Sequence, residues 1–124
     1  MTDNATRSRA LRQLVAILMR RAGFEDARHR VPATGRLSAR VGEYEGPTSD
    51  IEGVPGLFLG VHADIQRRYG ARVDAAEQAA ALAGLRHAAT VQYRREVDAD
   101  QYLAVMSLSG FLRLLADARQ GVRL

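Results

Sequence analysis

Asp50 and His62 are the two residues whose types and spacing point most directly to chemistry in this chain. Asp50 opens a short segment, a Gly-Val-Pro-Gly turn follows at 53–56, and an apolar strand is predicted over 57–63. Because alternate residues of a strand face the same side, His62 and Asp64 share a face that a hairpin would turn toward Asp50. Two carboxylates and an imidazole form a ligand set that suits Mn²⁺ or Zn²⁺ better than Mg²⁺. Asp50, His62 and Asp64 are therefore candidate metal ligands.

Simpler interpretations of these residues stay open. His62 also fits the pattern of an exposed histidine at a strand end without a ligand role. Asp50 also fits the pattern of a turn or capping residue. The other two histidines, His29 and His87, have no His-x-Glu or His-x₃-His spacing. A zinc hydrolase is therefore not predicted.

Composition restricts the chemistry further. The 124 residues, 47% of them hydrophobic, fit one domain, 1–124, with a modest core. The absence of cysteine excludes disulfides, cysteine-ligated zinc and a cysteine nucleophile. All 18 basic residues are arginines, so no step can use a lysine ammonium, and the net charge of +4 favours a polyanionic partner. The apolar run 14–19 is too short to span a bilayer, so we expect a cytoplasmic protein without a membrane partner.

The hydrophobic pattern predicts a single α/β domain with a central mixed sheet and the element order α-β-β-β-α-β-β-α. The proline and glycine residues at 32–48 predict a loop or an irregular hairpin. The runs with strand character are 26–31, 49–53, 57–63, 89–95 and 101–106.

Three helices complete this pattern. The first is predicted over 5–22, with Gly23 as its stop. Asp74, with an acidic residue three positions later, resembles a capping box and predicts a second, alanine-rich helix over 74–85. Ser109 is predicted to cap the last helix. The side chains predicted to face the core are Leu11, Leu14, Val15 and Leu18 in the first helix and Phe111, Leu112 and Leu115 in the last.

This order of elements and motifs resembles the PD-(D/E)xK nucleases, especially the small Holliday-junction-resolvase-like forms found in phages of high-GC bacteria. The resemblance covers nearly the whole chain and implies a restriction-endonuclease-like core, a DNA partner and a Mg²⁺ or Mn²⁺ cofactor. The motifs that carry it are Arg-Ala-Gly-Phe at 21–24, Ser-Asp-Ile-Glu-Gly-Val-Pro-Gly at 49–56, Ala-Glu-Gln-Ala at 76–79 and Phe-Leu-Arg-Leu-Leu at 111–115.

The chain departs from this family at the catalytic positions. The family motif reads Asp, a turn, then Glu-x-Lys, and here Gly60 and His62 stand in place of the Glu and the Lys. The segment 11–14 also lacks the carboxylate that the family often has on its first helix. The resemblance therefore assigns the catalytic positions to Asp50 and His62, with only Asp50 carried over directly. A magnesium site needs more than one carboxylate, so phosphodiester cleavage is predicted to be impaired or lost, and a metal is expected only if activity remains.

Arginine clusters are the strongest binding feature of the sequence, although a solvated arginine-rich surface explains the same pattern. The candidate nucleic-acid-binding residues are Arg28, Arg30, Arg67, Arg68, Arg94 and Arg95. With no aromatic-rich platform beside them, binding is predicted to depend on backbone charge and not on base readout. Three interpretations stay open: a DNA-binding protein of nuclease fold, a non-enzymatic assembly module that binds other phage proteins, and an active nuclease with a rearranged site. A homodimer is also open.

Overall fold

The computed structural model describes residues 4–30, 48–66 and 68–121, except for the side chains of residues 4 and 5. The predicted α/β class and the order α-β-β-β-α-β-β-α are confirmed. The elements are α1 (Asn4–Arg21), β1 (Arg28–His29), β2 (Ile51–Glu52), β3 (Leu57–His62), α2 (Tyr69–Leu82), β4 (His87–Gln92), a 3₁₀ turn (Ala99–Gln101), β5 (Leu103–Val105) and α3 (Leu108–Arg119).

Strand β4 is the centre of a three-stranded mixed sheet in the order β3-β4-β5. It runs parallel to β3, with α2 as the crossover, and antiparallel to β5. β1 and β2 form a separate antiparallel pair. This pair is tied to β3 by the Asp50 amide, which donates to the Leu59 carbonyl at 2.9 Å. The strands are shorter than the sequence predicted, and most of the predicted loop 32–48 lies outside the described residues.

Two apolar layers cover the sheet, and the alternation along β3 decides which side chains enter each. Leu59 and Val61 face α1, where they pack with Leu11 and Val15. Phe58 lies on the other face, against three buried alanines of α2. Small side chains let α2 approach the sheet closely. Gly60 and His62 have the same parity as Phe58, and they therefore face α2.

The first helix is close to its prediction. It begins and ends within a residue of 5–22, and the backbone of Gly23 at φ 112° terminates it. Leu11 and Val15 are buried as expected, but Leu14 is 43% exposed, so the buried stripe is narrower than predicted. No helix in the described parts of the chain is both long and apolar enough to cross a membrane.

The predicted start of the second helix at Asp74 is wrong. α2 begins at Tyr69, with Arg68 as its N-cap residue, and Asp74 lies exposed within the second turn. The reason is the position of Val73, which is buried and stands three residues before the buried Ala76. The apolar stripe thus begins before Asp74, and the helix extends backward to include it.

The predicted orientation of the last helix is also wrong. The cap of α3 is Ser107 and not Ser109, because the Ser107 hydroxyl accepts from the Gly110 amide at 3.0 Å. Phe111, Leu112 and Leu115 are 46%, 55% and 48% exposed instead of facing the core. The face turned inward is instead the one that carries Gly110 and Asp117.

Polar contacts explain this orientation of α3. Asp117 is buried and accepts hydrogen bonds from the Arg86 guanidinium, and one of its oxygens lies 2.8 Å from Nε2 of buried His87. Because a buried carboxylate needs such partners, this cluster holds the Asp117 face of α3 against the start of β4. The leucine-rich face is then directed outward.

Candidate functional site

A cleft of about 430 Å³ lies between α2 and the face of the sheet that α2 covers. It is next to the carboxyl-terminal half of β3, where the parallel strand pair and its crossover helix leave an open crevice. Crevices at the carboxyl ends of parallel strands are common ligand sites in α/β proteins. The residues that line this cleft are Thr48, Asp50, Phe58, Gly60, His62, Arg68, Ala71, Arg72, Ala75, Ala76, Ala79 and Thr90.

Asp50 is held at the cleft by its backbone and by its side chain. Its amide donates to Leu59, and its carbonyl accepts from the Arg30 amide at 2.8 Å. Carboxylate oxygen Oδ2 accepts from the Val61 amide at 2.8 Å. The Ser49 hydroxyl, which accepts from the Leu59 amide at 2.9 Å, reinforces the same edge of β3. The predicted approach of Asp50 to the Gly60–His62 face is therefore present, and one of its oxygens already has a structural partner.

His62 is half-buried at the end of β3 and shares the cleft with Asp50. Burial lowers the pKa of its imidazole below the ordinary value, and the nearby Arg72 lowers it further, while Asp50 and Asp64 act in the opposite direction. The lowered pKa favours the neutral form of the His62 imidazole. A neutral imidazole can accept a proton or bind a metal, but it supplies no positive charge to the cleft.

Gly60 lies beside His62 and Thr90 with room for a Cβ atom. A Cβ atom built at Gly60 would lie 3.4 Å from His62 Nε2 and 3.7 Å from a Thr90 methyl carbon, both ordinary contact distances. A longer side chain at this position would project into the cleft. A side chain that replaced this glycine would therefore meet neighbouring side chains at ordinary contact distance.

Arg72 is the residue that organises the mouth of the cleft. Its Nη2 donates to both carboxylate oxygens of Asp64, at 2.8 and 2.7 Å, and its Nη1 donates to Gln92 Oε1 at 2.7 Å. Gln92 in turn donates to the Asp64 carbonyl. These hydrogen bonds from Arg72 keep the pKa of Asp64 below its ordinary value. The three side chains form a closed, oriented network at the carboxyl ends of β3 and β4.

This network leaves Asp64 away from the proposed metal position. β3 ends at His62, and the Asp64 carboxylate turns to Arg72 and does not line the cleft. Within the described ranges, no group of three or more histidine, aspartate or glutamate side chains is placed to hold a metal ion. Asp50 and His62 alone do not fit the oxygen-rich site that Mg²⁺ requires. The role of Asp64 as a ligand and the Mg²⁺ or Mn²⁺ cofactor stay predictions.

The predicted nucleic-acid-binding arginines that the structure describes lie at three places on the surface. Arg68 lines the cleft, and the backbone of Arg30 contacts Asp50. Arg28 pairs with Glu52 at 3.3 Å and borders a separate depression beside the turn at 53–56, toward the other end of β3. Arg67 lies outside the described residues.

Arg94 and Arg95 border a second depression of about 520 Å³ next to the end of β4. Both are exposed, and Arg94 donates to the Gln101 carbonyl at 3.0 Å. Tyr69 and Tyr93 line the same depression, so aromatic residues do stand beside these arginines. Gln92 connects this second depression to the cleft, because it lines the depression and also accepts a hydrogen bond from Arg72 of the cleft.

Arg72 and Thr90 are the site residues that sequence reasoning missed. The sequence pattern places Arg72 in an exposed connection before the second helix. With α2 beginning at Tyr69, Arg68 and Arg72 are four residues apart and lie on one helical face, which was the signal available in the sequence. Thr90 becomes a site residue only through its pairing with Gly60 in the parallel register, a contact that local sequence does not encode.

Scans of family models, of curated proteins and of solved structures each found no match to this chain.

Proposed function

We propose that this chain is a DNA-binding protein built on a PD-(D/E)xK-like nuclease scaffold, with phosphodiester cleavage impaired or lost. The observation that carries the proposal is the cleft, in which Asp50 is fixed beside Gly60 and His62 at the carboxyl end of β3. The α-β-β-β-α-β order, with β3 and β4 parallel, supports the resemblance noted in the sequence.

Charge at this end of the sheet supports a polyanionic ligand. Arg68 stands at the N-terminus of α2, where the helix dipole adds positive potential. Arg94 and Arg95 extend the basic surface to the end of β4. Arg72 is committed to Asp64 and Gln92, so its part is to hold the shape of the cleft and to keep His62 neutral. With DNA as the partner, we propose action in the cytoplasm, of the host if the protein is phage-encoded.

Impaired cleavage follows from the same geometry. The reaction needs positive charge near the phosphoryl oxygens and an oriented water, and removal of such electrostatic stabilisation costs orders of magnitude in rate. Neutral His62 supplies no such charge, and Gly60 supplies no carboxylate. His62 is placed to accept a proton, which is the one catalytic step that the described side chains support unaided.

Binding is tested by fluorescence anisotropy with a labelled duplex and a labelled four-way junction in EDTA. Joint substitution Arg68→Ala, Arg94→Ala and Arg95→Ala should weaken binding to both, and the log–log salt slope should become shallower by about 0.9 for each phosphate that the variant no longer neutralises. Arg21→Ala is the matched control, because this exposed arginine ends α1, away from the cleft. Absence of binding at low salt, or an equal decrease in the control, would contradict the proposal.

Cleavage is tested on the same labelled junction with Mg²⁺ and with Mn²⁺. The wild type should be weak or inactive, and Gly60→Glu combined with His62→Lys should gain activity that Asp50→Asn then removes. Robust cleavage by the wild type would instead support the active nuclease with a rearranged site.

A second candidate is the non-enzymatic interaction module. The exposed apolar face of α3 favours it, because large apolar side chains grouped on one face of a monomer are typical of protein interfaces. Salt-independent DNA binding, or no DNA binding at low salt, in the anisotropy assay would favour this candidate over the first.

A further inference from the structure

The depression of about 520 Å³ next to the end of β4 combines apolar, aromatic and basic side chains. Ile65 and Leu103 form apolar parts of its wall and are 53% and 37% exposed. Leu103 opens β5 and pairs with Gln92 of β4, so this part of the wall is anchored in the sheet. Small-molecule sites are typically concavities of this size with apolar walls and a few polar groups. The exposed apolar side chains of the wall therefore favour a ligand that has an apolar surface.

Two partly buried tyrosines also line the depression. Tyr69 is the first residue of α2, and Tyr93 directly follows β4, so the two rings come from different elements. The rings of Tyr93 and Tyr102 make a T-shaped contact, with centroids 5.3 Å apart and 63° between their planes. The Tyr93 amide donates to the His62 carbonyl at 3.0 Å. Tyr93 is thus held in place before a ligand binds, which lowers the entropic cost of stacking against it.

Arg94 and Arg95 border the depression as exposed cations. Within the described ranges, neither arginine forms an ion pair. Arg94 donates one N–H to the Gln101 carbonyl, which positions its guanidinium and leaves its other donors for a ligand. The acidic turn 96–100 that follows does not line the depression. The ligand of this site is therefore expected to carry negative charge as well as an apolar surface.

We propose that this depression binds an unpaired nucleotide of a DNA strand, with its base against the tyrosines and a neighbouring phosphate at the arginines. The inference rests on the proposed function, because it takes DNA as the partner. A nucleotide joins a flat aromatic base to a negative phosphate, which is the combination that this lining fits. Aromatic side chains beside a basic track are a general means of holding single-stranded DNA. A paired base is stacked inside the duplex, so the site selects nucleotides that are unpaired.

The site holds a base without identifying it. Gln92 is the wall residue best suited to read a base edge, and its side-chain amide is already engaged at both ends. Its Oε1 accepts from Arg72 at 2.7 Å, and its Nε2 donates to the Asp64 and Tyr93 carbonyls. Stacking tolerates every base, because each has an aromatic face. We therefore expect a preference for unpaired over paired DNA that does not depend on the base sequence.

The depression lies next to the cleft, so one DNA strand can contact both. The Tyr93 amide binds the carbonyl of His62, which is a cleft residue, and Gln92 accepts from Arg72 of the cleft. The strand that places an unpaired nucleotide in the depression would thus continue along the cleft. The expected ligand is DNA in which a duplex adjoins a short single-stranded stretch, such as a gap or a flap.

The first test compares an intact labelled duplex with the same duplex carrying a gap that leaves about three thymidines unpaired. In fluorescence anisotropy in EDTA, the wild type should bind the gapped DNA about 5- to 100-fold more tightly, which is the contribution of one stacked base. Tyr69→Leu keeps an apolar side chain without the aromatic ring, and it should bring the ratio of the two affinities close to one. Tyr69→Phe is the matched control, because it keeps the ring and should retain the wild-type ratio.

The second test follows the tyrosines directly. The chain has four tyrosines and no tryptophan, so its intrinsic emission comes from tyrosine. A single-stranded oligothymidine should quench part of this emission as a base stacks, and Tyr69→Phe should show a smaller decrease. If circular dichroism shows that Tyr69→Leu is unfolded, this measurement on Tyr69→Phe decides.

The outcomes separate this inference from the proposed function. Equal affinity of the wild type for gapped and intact DNA would overturn the inference and leave the proposed function standing. No binding to either DNA at low salt would contradict both. A preference that Tyr69→Leu leaves unchanged, or a quench that Tyr69→Phe leaves unchanged, would also overturn the inference, because the unpaired nucleotide would then lie elsewhere.

Discussion

Restoring a carboxylate at Gly60 is the sharpest probe of the cleft. Asp50 Oδ2 binds the Val61 amide, which is bonded directly to Gly60, so the carboxylate of Gly60→Glu would come within about 5 Å of Asp50. At an effective dielectric constant of about 20, two such charges repel by about 3 kcal/mol. Replacing a glycine in the middle of a strand stabilises the folded state by about 0.5–1 kcal/mol. The net loss of about 2 kcal/mol in EDTA should lower the melting temperature by about 5–10 °C.

The same variant should respond to divalent cations. Two carboxylates beside His62 make a better site than one, and a metal bound only by the folded protein stabilises it in proportion to the logarithm of its concentration. With a dissociation constant of about 1 mM, about 10 mM Mn²⁺ stabilises the folded variant by about 1.4 kcal/mol. This raises its melting temperature by about 4–6 °C. The wild type, with one carboxylate in the described cleft, should shift less.

Gly60→Gln is the control, because it has the same shape without the charge. A steric clash of the new Cβ is not expected in either variant, because a Cβ at this position lies 3.4 Å or more from its neighbours. The assay is thermal unfolding followed by circular dichroism, in EDTA and with added Mn²⁺ or Mg²⁺. If the Glu and Gln variants melt together in EDTA and neither responds to metal, then Asp50 and position 60 do not share a cleft and the reasoning is refuted.

Three further predictions concern Gly53, His62 and Asp117. Gly53→Ala should destabilise the fold by more than about 3 kcal/mol in denaturant unfolding, because its Cβ would lie 1.9 Å from the Asp26 carbonyl oxygen at a backbone φ of 86°. NMR titration of His62 should give a pKa below the ordinary value, and Arg72→Gln should raise it only in part, since burial is the larger cause. The Arg86 hydrogen bonds lower the pKa of Asp117, so its stabilisation is present above the unfolded value and disappears as pH falls through the folded one. Asp117→Asn should therefore flatten the acid limb of melting temperature against pH.

Local pattern was enough to predict the half of the site that lies on one strand. The two-residue period of β3 places Gly60 and His62 on one face wherever the strand is half-buried, and the glycine and proline turn at 53–56 directs the chain back past Asp50. Both features act over a few residues. The structure accordingly places Asp50, Gly60 and His62 in one cleft, and it adds a hydrogen bond from the Val61 amide to Asp50 that the sequence did not predict.

The sequence predictions were wrong where contacts between residues far apart in the chain determine the structure. The capping pattern at Asp74 is a local signal, and the burial of Val73 in the helix outweighed it. The orientation of α3 depends on Asp117 and its partners about 30 residues earlier, Arg86 and His87. Apolar residues at helical spacing predict one apolar helix face, but they do not predict whether that face packs against the rest of the same chain. That ambiguity made Phe111 look like a core residue.

Asp50 differs from Gly60 and His62 because its side chain has a structural role that does not depend on any cleavage reaction. Asp50 completes the hydrogen bonding of an edge-strand amide, and a variant without that acceptor would leave the Val61 N–H unpaired in a half-buried place. Gly60 and His62 make no comparable contact within the described residues, so the fold tolerates exchange there. On the proposed nuclease-like scaffold, loss of cleavage would leave this structural role of Asp50 intact. Asp50→Asn, which retains an acceptor oxygen, should accordingly unfold near the wild-type temperature, while Asp50→Ala should lose about 1–3 kcal/mol. Equal stability of the two variants would show that Asp50 has no structural role, and its presence would then point to chemistry.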